Sequence, residues 1–154
     1  MKRFLLYTLL ILCALPGMAD GWEYRDGKTA GIESNALYLS GDYDAPTTLG
    51  MFIGKNSQGQ WMVLCALFGE CEIHDFQPSQ QYIVATFPDG REKYEVKPIE
   101  IDGKKFQYVL VGNVGKLLKR LQNVEWFNIS LPVYGYGVQM FSFSAYGYPL
   151  VLPE

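Results

Sequence analysis

A strict alternation of apolar and polar side chains is the feature of this sequence that most restricts its fold. In residues 125–133, "EWFNISLPV", the side chains of Phe127, Ile129, Leu131 and Val133 fall at every second position. Successive side chains of a β-strand point to opposite faces, so this spacing places the four apolar groups on one face. The pattern predicts a half-buried strand with one dry face and one wet face.

The same alternation returns in the C-terminal stretch "YGYGVQMFSFSAYGYP", residues 134–149. One set of side chains is Gln139, Phe141, Phe143 and Ala145, and it alternates with Met140, Ser142 and Ser144. This favours a final strand with a wet face. The preceding "YGYG" is predicted to be the loop that connects it to the strand in residues 125–133, because glycine permits a tight reversal.

Six other segments have the β-branched and aromatic composition of strands: "NALYL", "TLGMFIG", "WMVLCALF", "QQYIVATF", "KYEVKPIEI" and "FQYVLV". Within "KYEVKPIEI", Pro98 is expected to place part of the strand at an edge, since proline cannot donate to the ladder. Turn sequences such as "GKNSQGQ", "FPDG" and "IDGK" separate the strands. Many short strands with regular turns predict an antiparallel β-sandwich or partly open barrel.

One segment has helical periodicity instead. In "NVGKLLKRLQN", Val114, Leu117, Leu118 and Leu121 lie at positions i, i+3, i+4 and i+7. This predicts one short amphipathic helix in the C-terminal third, with Asn113 as its N-cap.

The N-terminus is typical of a secretory signal. Lys2 and Arg3 precede an apolar run, and a small-residue pattern ends at Ala19. We therefore predict a cleaved leader over residues 1–19 and one domain over residues 20–154, located in the periplasm without a stable membrane anchor. Loss of Lys2 and Arg3 takes the formal net charge from −3 to −5, and an acidic chain argues against nucleic acid as a partner.

Two cysteines remain after the leader, Cys65 and Cys71. In an oxidising compartment such a pair most often forms a disulfide. We predict a Cys65–Cys71 bridge, with two buried free thiols as the alternative.

The sequence has few groups suited to catalysis. His74 is the single histidine, and no G-x-S-x-G motif accompanies it. One histidine and two cysteines do not complete a common zinc site. We therefore predict no catalytic residues, no metal and no cofactor. A hydrolase that uses a carboxylate pair remains an alternative; the pairs are Asp42/Asp44, Glu70/Glu72 and Glu100/Asp102.

Aromatic side chains in loops can form a binding rim. The candidates for a contact surface are the four loop tyrosines Tyr134, Tyr136, Tyr146 and Tyr148. A glycan or small-ligand binder that uses these tyrosines is an alternative to a protein-binding module.

The order of segments in the second half resembles the small bacterial periplasmic β-sandwich proteins. This broad group includes accessory and immunity-type proteins linked to type VI secretion and to mobile elements. The resemblance rests on the segments "YIVATFPDG", "KYEVKPIEI", "FQYVLV", "KLLKRLQNV", "WFNISLPV" and "MFSFSAYG". "TFPDG" stands where the group has a pattern like "RFDDG", so that arginine is absent here.

The resemblance implies a periplasmic β-sandwich that binds another protein. It carries over no catalytic residues. We therefore expect an exported, non-catalytic protein that acts as an accessory, inhibitor or immunity factor.

Overall fold

The computed structural model describes residues 21–34, 48–69, 72–73 and 81–154. The predicted leader and the predicted strand "NALYL" lie outside the described residues. The described part forms nine β-strands and one helix, here called α1. Their bounds are β1 (Glu23–Arg25), β2 (Thr29–Glu33), β3 (Thr48–Lys55), β4 (Trp61–Phe68), β5 (Tyr82–Phe87), β6 (Gly90–Ile101), β7 (Lys104–Leu110), α1 (Val114–Leu121), β8 (Trp126–Val133) and β9 (Gly137–Ser144).

All neighbouring strands pair antiparallel, in the order β1-β2-β3-β4-β7-β6-β5-β8-β9. The nine strands curl into a half-barrel. The predicted fold class, mainly antiparallel β with one short helix, is confirmed.

The long strand β6 is the corner at which the sheet bends. Residues 90–95 pair with β5, whereas residues 96–101 pair with β7, with an irregular register between Ile99 and Glu100. A strand that changes partner halfway joins two sheet halves that face different directions. Pro98 lies in the second half, which has β7 as its one paired neighbour, so its missing N–H interrupts no ladder.

The curled sheet encloses the main hydrophobic core on its inner face. Phe127 of β8 lies near the centre of the aromatic part of this core, stacked on Phe143 with 4.7 Å between ring centroids. Helix α1 covers the core with its buried Leu117, Leu118 and Leu121. The described residues contain no helix that is long and apolar enough to cross a membrane.

Residues 22, 150 and 151, near the two ends of the described residues, contact elements that are distant from them in the chain. Before β1, Trp22 stacks on Phe127 with 6.4 Å between ring centroids. After β9, Leu150 is buried and its N–H donates to the Leu121 carbonyl at 3.2 Å. The next N–H, from Val151, donates to the Tyr24 hydroxyl at 2.9 Å. The C-terminal segment thereby connects α1 to β1, the edge strand opposite β9.

Several predicted turns are present. In "IDGK", Asp102 and Gly103 have φ values of 52° and 75°, as a two-residue hairpin loop requires. Asp26 and Gly27 adopt the same conformation between β1 and β2, with φ values of 51° and 62°. This first hairpin was not predicted, although its Asp-Gly pair is a strong hairpin signal.

The prediction for the start of α1 is wrong in one respect. Asn113 occupies the N-cap position, but its side chain makes no capping hydrogen bond and its φ is 55°. Asparagine tolerates this left-handed conformation better than most residues. Asn113 therefore permits the sharp turn into the helix and does not cap the unpaired N–H groups of its first turn.

A second apolar cluster lies on the outer face of β3, β4 and β7. It contains the buried side chains of Phe52, Leu64, Ala66 and Val109. A Cβ atom at Gly50 would meet the rings of Phe68 at 2.7 Å and Phe52 at 2.9 Å, so a larger residue here would force both rings to move. Across from Ala66, Gln107 is fully buried and its amide has no hydrogen-bond partner among the described residues.

Charged groups hold α1 to the turn between β5 and β6. The Arg120 guanidinium donates to both carboxylate oxygens of Asp89, at 2.9 and 2.6 Å, and lies 4.4 Å from the centre of the Phe87 ring. Its Nε is 3.6 Å from a carboxylate oxygen of Glu92, which also accepts a hydrogen bond from the Tyr94 hydroxyl. The Arg120 hydrogen bonds lower the pKa of Asp89, and the Tyr94 hydrogen bond lowers that of Glu92.

Replacement of Arg120 by leucine should lower the free energy of unfolding at neutral pH and make that free energy less sensitive to acid pH. A carboxyl whose pKa is lowered by folding stabilises the protein above its unfolded pKa of about 4, and this stabilisation is lost as the pH falls through the folded pKa. Without the guanidinium, the pKa of Asp89 returns toward its ordinary value. We expect Arg120→Leu to be less stable at neutral pH and to lose less stability between about pH 7 and pH 3.

Urea unfolding across this pH range measures the effect. Lys119→Leu is the control, because Lys119 is an exposed cation on the same helix with no ion pair among the described residues. Parallel pH profiles for the wild type and Arg120→Leu would contradict the prediction.

Candidate interaction surface

The hairpin of β8 and β9 carries three exposed apolar side chains, Trp126, Val138 and Met140, on one face. Its loop is residues 134–136, where the Tyr136 N–H donates to the Val133 carbonyl at 3.0 Å. Gly135 and Gly137 have φ values of 81° and 72°, a conformation that glycine adopts without strain. The predicted connecting loop and final strand are therefore present. The inward side chains of β9 are Phe141 and Phe143, as the alternation requires.

The outward side chains of this hairpin form what we call the hairpin outer face. It consists of Trp126, Asn128, Ser130, Pro132, Val138, Met140, Ser142 and Ser144. Trp126 and Met140 are exposed, and Val138 is 73% exposed. At the centre of the face, the Ser142 hydroxyl donates to the Asn128 side-chain oxygen at 2.7 Å. The face thus combines apolar groups with neutral polar groups.

No charged residue occurs in β8 or β9. Strand β6 differs, because most of its outward positions carry a charged side chain, as the sequence "GREKYEVKPIEI" shows. Edge strands usually carry charged residues, prolines or bulges that prevent pairing with another chain. Strand β1, at the opposite edge, has three residues and includes Glu23 and Arg25. Strand β9 is an edge of eight residues that has none of these protective features among the described residues.

The four predicted contact tyrosines do not form one cluster. Tyr134 and Tyr136 lie in the loop before β9, and Tyr146 and Tyr148 follow its last residue. The rise per residue places the two pairs about 25 Å apart, at the two ends of the hairpin outer face. All four are exposed, Tyr148 most of all at 80%. Their arrangement frames this face rather than forming a single aromatic platform.

Tyr146 is held in a strained conformation. It has a φ of 50° and precedes Gly147, whose φ is 80°, in a turn closed by the Tyr148 N–H and the Ala145 carbonyl at 2.9 Å. A bulky side chain in the left-handed region is an outlier that costs about 1–2 kcal/mol. Asparagine or glycine would fit this position with less strain. The turn therefore keeps a tyrosine where backbone stability alone would not select one.

A shallow pocket of about 260 Å³ lies beside the other tyrosine pair. Residues 72–73 form its floor by crossing from β7 to the end of β8. The Ile73 N–H donates to the Lys105 carbonyl at 2.6 Å, and the Tyr134 N–H donates to the Glu72 carbonyl at 2.8 Å. The lining residues are Glu72, Ile73, Glu100, Gly103, Lys105 and Tyr134.

The pocket contains one carboxylate from each of two predicted pairs, Glu70/Glu72 and Glu100/Asp102. Glu72 and Glu100 both line it, whereas Asp102 is exposed in the turn between β6 and β7. The Lys105 backbone N–H lies 3.4 Å from a carboxylate oxygen of Glu72. The remaining predicted candidates, Asp42, Asp44, Glu70 and His74, lie outside the described residues. In the described ranges, no group of three or more histidine, cysteine or acidic residues is placed to hold a metal ion.

Cys65 is a fully buried free thiol in the structure, and Cys71 lies outside the described residues. The thiol faces the inner core opposite Tyr108 of β7. Burial raises its pKa to about 12, although a hydrogen bond with Tyr108 acts in the other direction. The Cys65–Cys71 disulfide therefore stays a prediction.

The sequence analysis did not identify Trp126, Val138 and Met140 as surface candidates. Each lies at an outward position of a predicted strand, so the alternation contained the signal. An apolar residue at a wet position of a strand is the more informative feature.

Comparison of the chain with protein-family models, with curated proteins and with solved structures finds no match.

Alkylation measures the state of Cys65. As a buried thiol with a raised pKa, it should not react with iodoacetamide at about pH 8 in the native protein, and should react fully in urea without a reductant. Mass spectrometry of the peptide that contains Cys65 reads out the modification. If the peptide stays unmodified in urea until a reductant is added, the cysteine is oxidised and the predicted disulfide is the explanation.

Proposed function

We propose that this chain is a non-catalytic, exported protein that acts by binding another protein through the hairpin outer face and the tyrosines at its two ends. Its role is that of an accessory, inhibitor or immunity-type factor. The observation that carries the proposal is the exposed, uncharged surface of β8 and β9, which includes Trp126, Val138 and Met140.

The composition of this surface matches that of protein interfaces. Interface cores are depleted in charge and enriched in tyrosine, tryptophan and methionine. Binding energy concentrates in a few large side chains, most often tryptophan, tyrosine and arginine. Trp126 and the four tyrosines supply such groups around a neutral strand surface.

The strain at Tyr146 supports the same proposal. A bulky residue held in a strained backbone conformation is typical of a functional position. The turn at residues 145–148 follows the last residue of β9, so Tyr146 lies at one end of the hairpin. Recognition of a partner gives a reason for a tyrosine at a position that suits asparagine or glycine.

The periplasmic location follows from the leader pattern of residues 1–19, and the resemblance to small periplasmic β-sandwich proteins agrees with it. That compartment is oxidising, so it permits the predicted Cys65–Cys71 disulfide in place of the free Cys65 thiol of the structure. The partner is then a protein that is exported, secreted or located in the envelope.

The test compares variants of the mature protein, residues 20–154, as bait in extracts of the producing cell. A specific partner should bind the wild type and lose at least about tenfold in affinity with Tyr134→Ala/Tyr136→Ala or with Trp126→Ala. Tyr146→Asn should also weaken binding, yet raise the free energy of unfolding by about 1 kcal/mol because it relieves the backbone strain. Lys119→Ala, on the exposed side of α1, is the control and should bind as the wild type does.

Mass spectrometry identifies the captured protein, and titration calorimetry with the purified partner measures each affinity. If the three surface variants bind the partner with wild-type affinity, the hairpin outer face is not the binding surface. If no protein is captured specifically, the proposed function fails.

A second candidate function is the binding of a glycan or other small ligand, which the pocket at Tyr134 favours. Its volume of about 260 Å³ accommodates a single sugar-sized group. Glu72 and Glu100 supply acceptors for hydroxyl or ammonium groups, and Tyr134 supplies an aromatic ring.

Titration with cell-wall fragments distinguishes this candidate. If it is correct, wild-type protein binds the fragments, and both Tyr134→Ala and Glu100→Gln weaken binding. Trp126→Ala, outside the pocket, leaves binding unchanged. Release of new reducing ends that depends on Glu72 and Glu100 would instead indicate the hydrolase alternative.

A further inference from the structure

One side of β9 has no paired strand among the described residues. The strand lies at the end of the sheet order, with β8 as its paired neighbour. All eight of its residues pair with β8 in a continuous register, from Gly137 opposite Val133 to Ser144 opposite Trp126. The strand is therefore well formed, and its second row of backbone groups faces away from the sheet.

The residues that present these outward groups can be identified from the hydrogen bonds at the two ends of the hairpin. The Ala145 N–H donates to the Glu125 carbonyl at 2.7 Å, so the backbone of residue 145 points toward β8. Backbone direction alternates along a strand, so residues 137, 139, 141 and 143 also point toward β8. The outward N–H and C=O groups belong to Val138, Met140, Ser142 and Ser144.

The same four residues form the β9 part of the hairpin outer face. Val138 and Met140 are exposed apolar residues, and the two serines are neutral. Neither the strand nor its neighbour β8 has a charged group that would oppose an approaching strand. Strand β1 at the other edge differs, being short and charged.

We infer that a second copy of this chain pairs with β9, antiparallel and about a two-fold axis at Met140. In this register Met140 lies opposite Met140 of the second copy, and Val138 lies opposite Ser142 of the second copy. Each pair joins outward-pointing residues, which satisfies about six backbone hydrogen bonds. The two sheets then form one continuous sheet.

Three features favour a second copy over an unrelated strand. A two-fold axis places identical residues face to face, and an edge without charge is one that tolerates this arrangement. The axis brings the two exposed methionine side chains into contact, with Val138 as a diagonal neighbour. Antiparallel pairing keeps outward side chains on the same face, so apolar groups from both copies extend one surface.

This inference goes beyond the proposed function. Edge pairing uses the backbone groups of β9, so Trp126 on β8 remains exposed on the joined surface. Residues 134 and 136 of each copy come to lie opposite residues 146 and 144 of the other. Loss of the dimer and loss of partner binding are therefore distinguished at Trp126, which takes part in partner binding alone.

Sedimentation velocity of the mature protein, residues 20–154, from about 1 to 200 µM tests for the dimer. The wild type should show a concentration-dependent dimer. Met140→Lys and Met140→Glu each place like charges opposite each other, and each should weaken dimerisation at least about tenfold. An equimolar mixture of the two variants should recover the dimer, because the charges are then opposite.

Trp126→Lys is the matched control. It adds the same charge to the same face, but on β8, and should dimerise as the wild type does. The register has its own test: Met140→Cys should form an intermolecular disulfide under mild oxidation, since the paired Cα atoms lie about 5.5 Å apart. Ser144→Cys should not, because its two copies lie about 25 Å apart or more.

Circular dichroism confirms that each variant is folded. A wild type that stays monomeric over the whole concentration range overturns the inference, even if it binds a partner protein. A dimer that persists in Met140→Lys, or a mixture of the charge variants that does not recover the dimer, also overturns it.

Discussion

The structure depends on the need to cover one apolar face of a nine-stranded sheet. The helix available among the described residues has eight residues, too few to cover nine strands, so the sheet curls and encloses much of its own core. Strand β6 makes this possible by pairing first with β5 and then with β7. The curl brings residues 72–73 between β7 and β8, which creates the pocket. It also leaves β9 at the end of the sheet, with β8 as its one paired neighbour in the part of the chain that the structure describes.

Much of the secondary structure was predictable because it follows from local patterns. The segments "WMVLCALF" and "WFNISLPV" coincide with β4 and β8, and the apolar residues of α1 were identified from their helical spacing. The order of strands was not predictable. It depends on contacts between distant segments, such as β4 with β7, that no alternation pattern specifies. The curl at β6 was missed for the same reason.

The candidate surface was partly predictable. The tyrosines were recognised by type, but their separation into two pairs depends on the length of β9. The exposure of Val138 and Met140 could have been predicted from the alternation of inward and outward side chains along β9. The presence of Glu72 and Glu100 in one pocket could not, because it results from the curl of the sheet. Local chemistry is thus visible in the sequence, whereas the convergence of distant groups appears only in the folded chain.

The contacts made near the two chain ends have a consequence for the order in which the molecule is completed. Val151 is hydrogen-bonded to Tyr24, and Leu150 belongs to the core that Trp22 also contacts. Until residues 150 and 151 are in place, Tyr24 lacks its hydrogen bond to the Val151 N–H and the core lacks Leu150. Contacts of such sequence separation form late and slowly. Completion of the fold around β1 therefore waits for the segment after β9, although β1 is synthesised long before it.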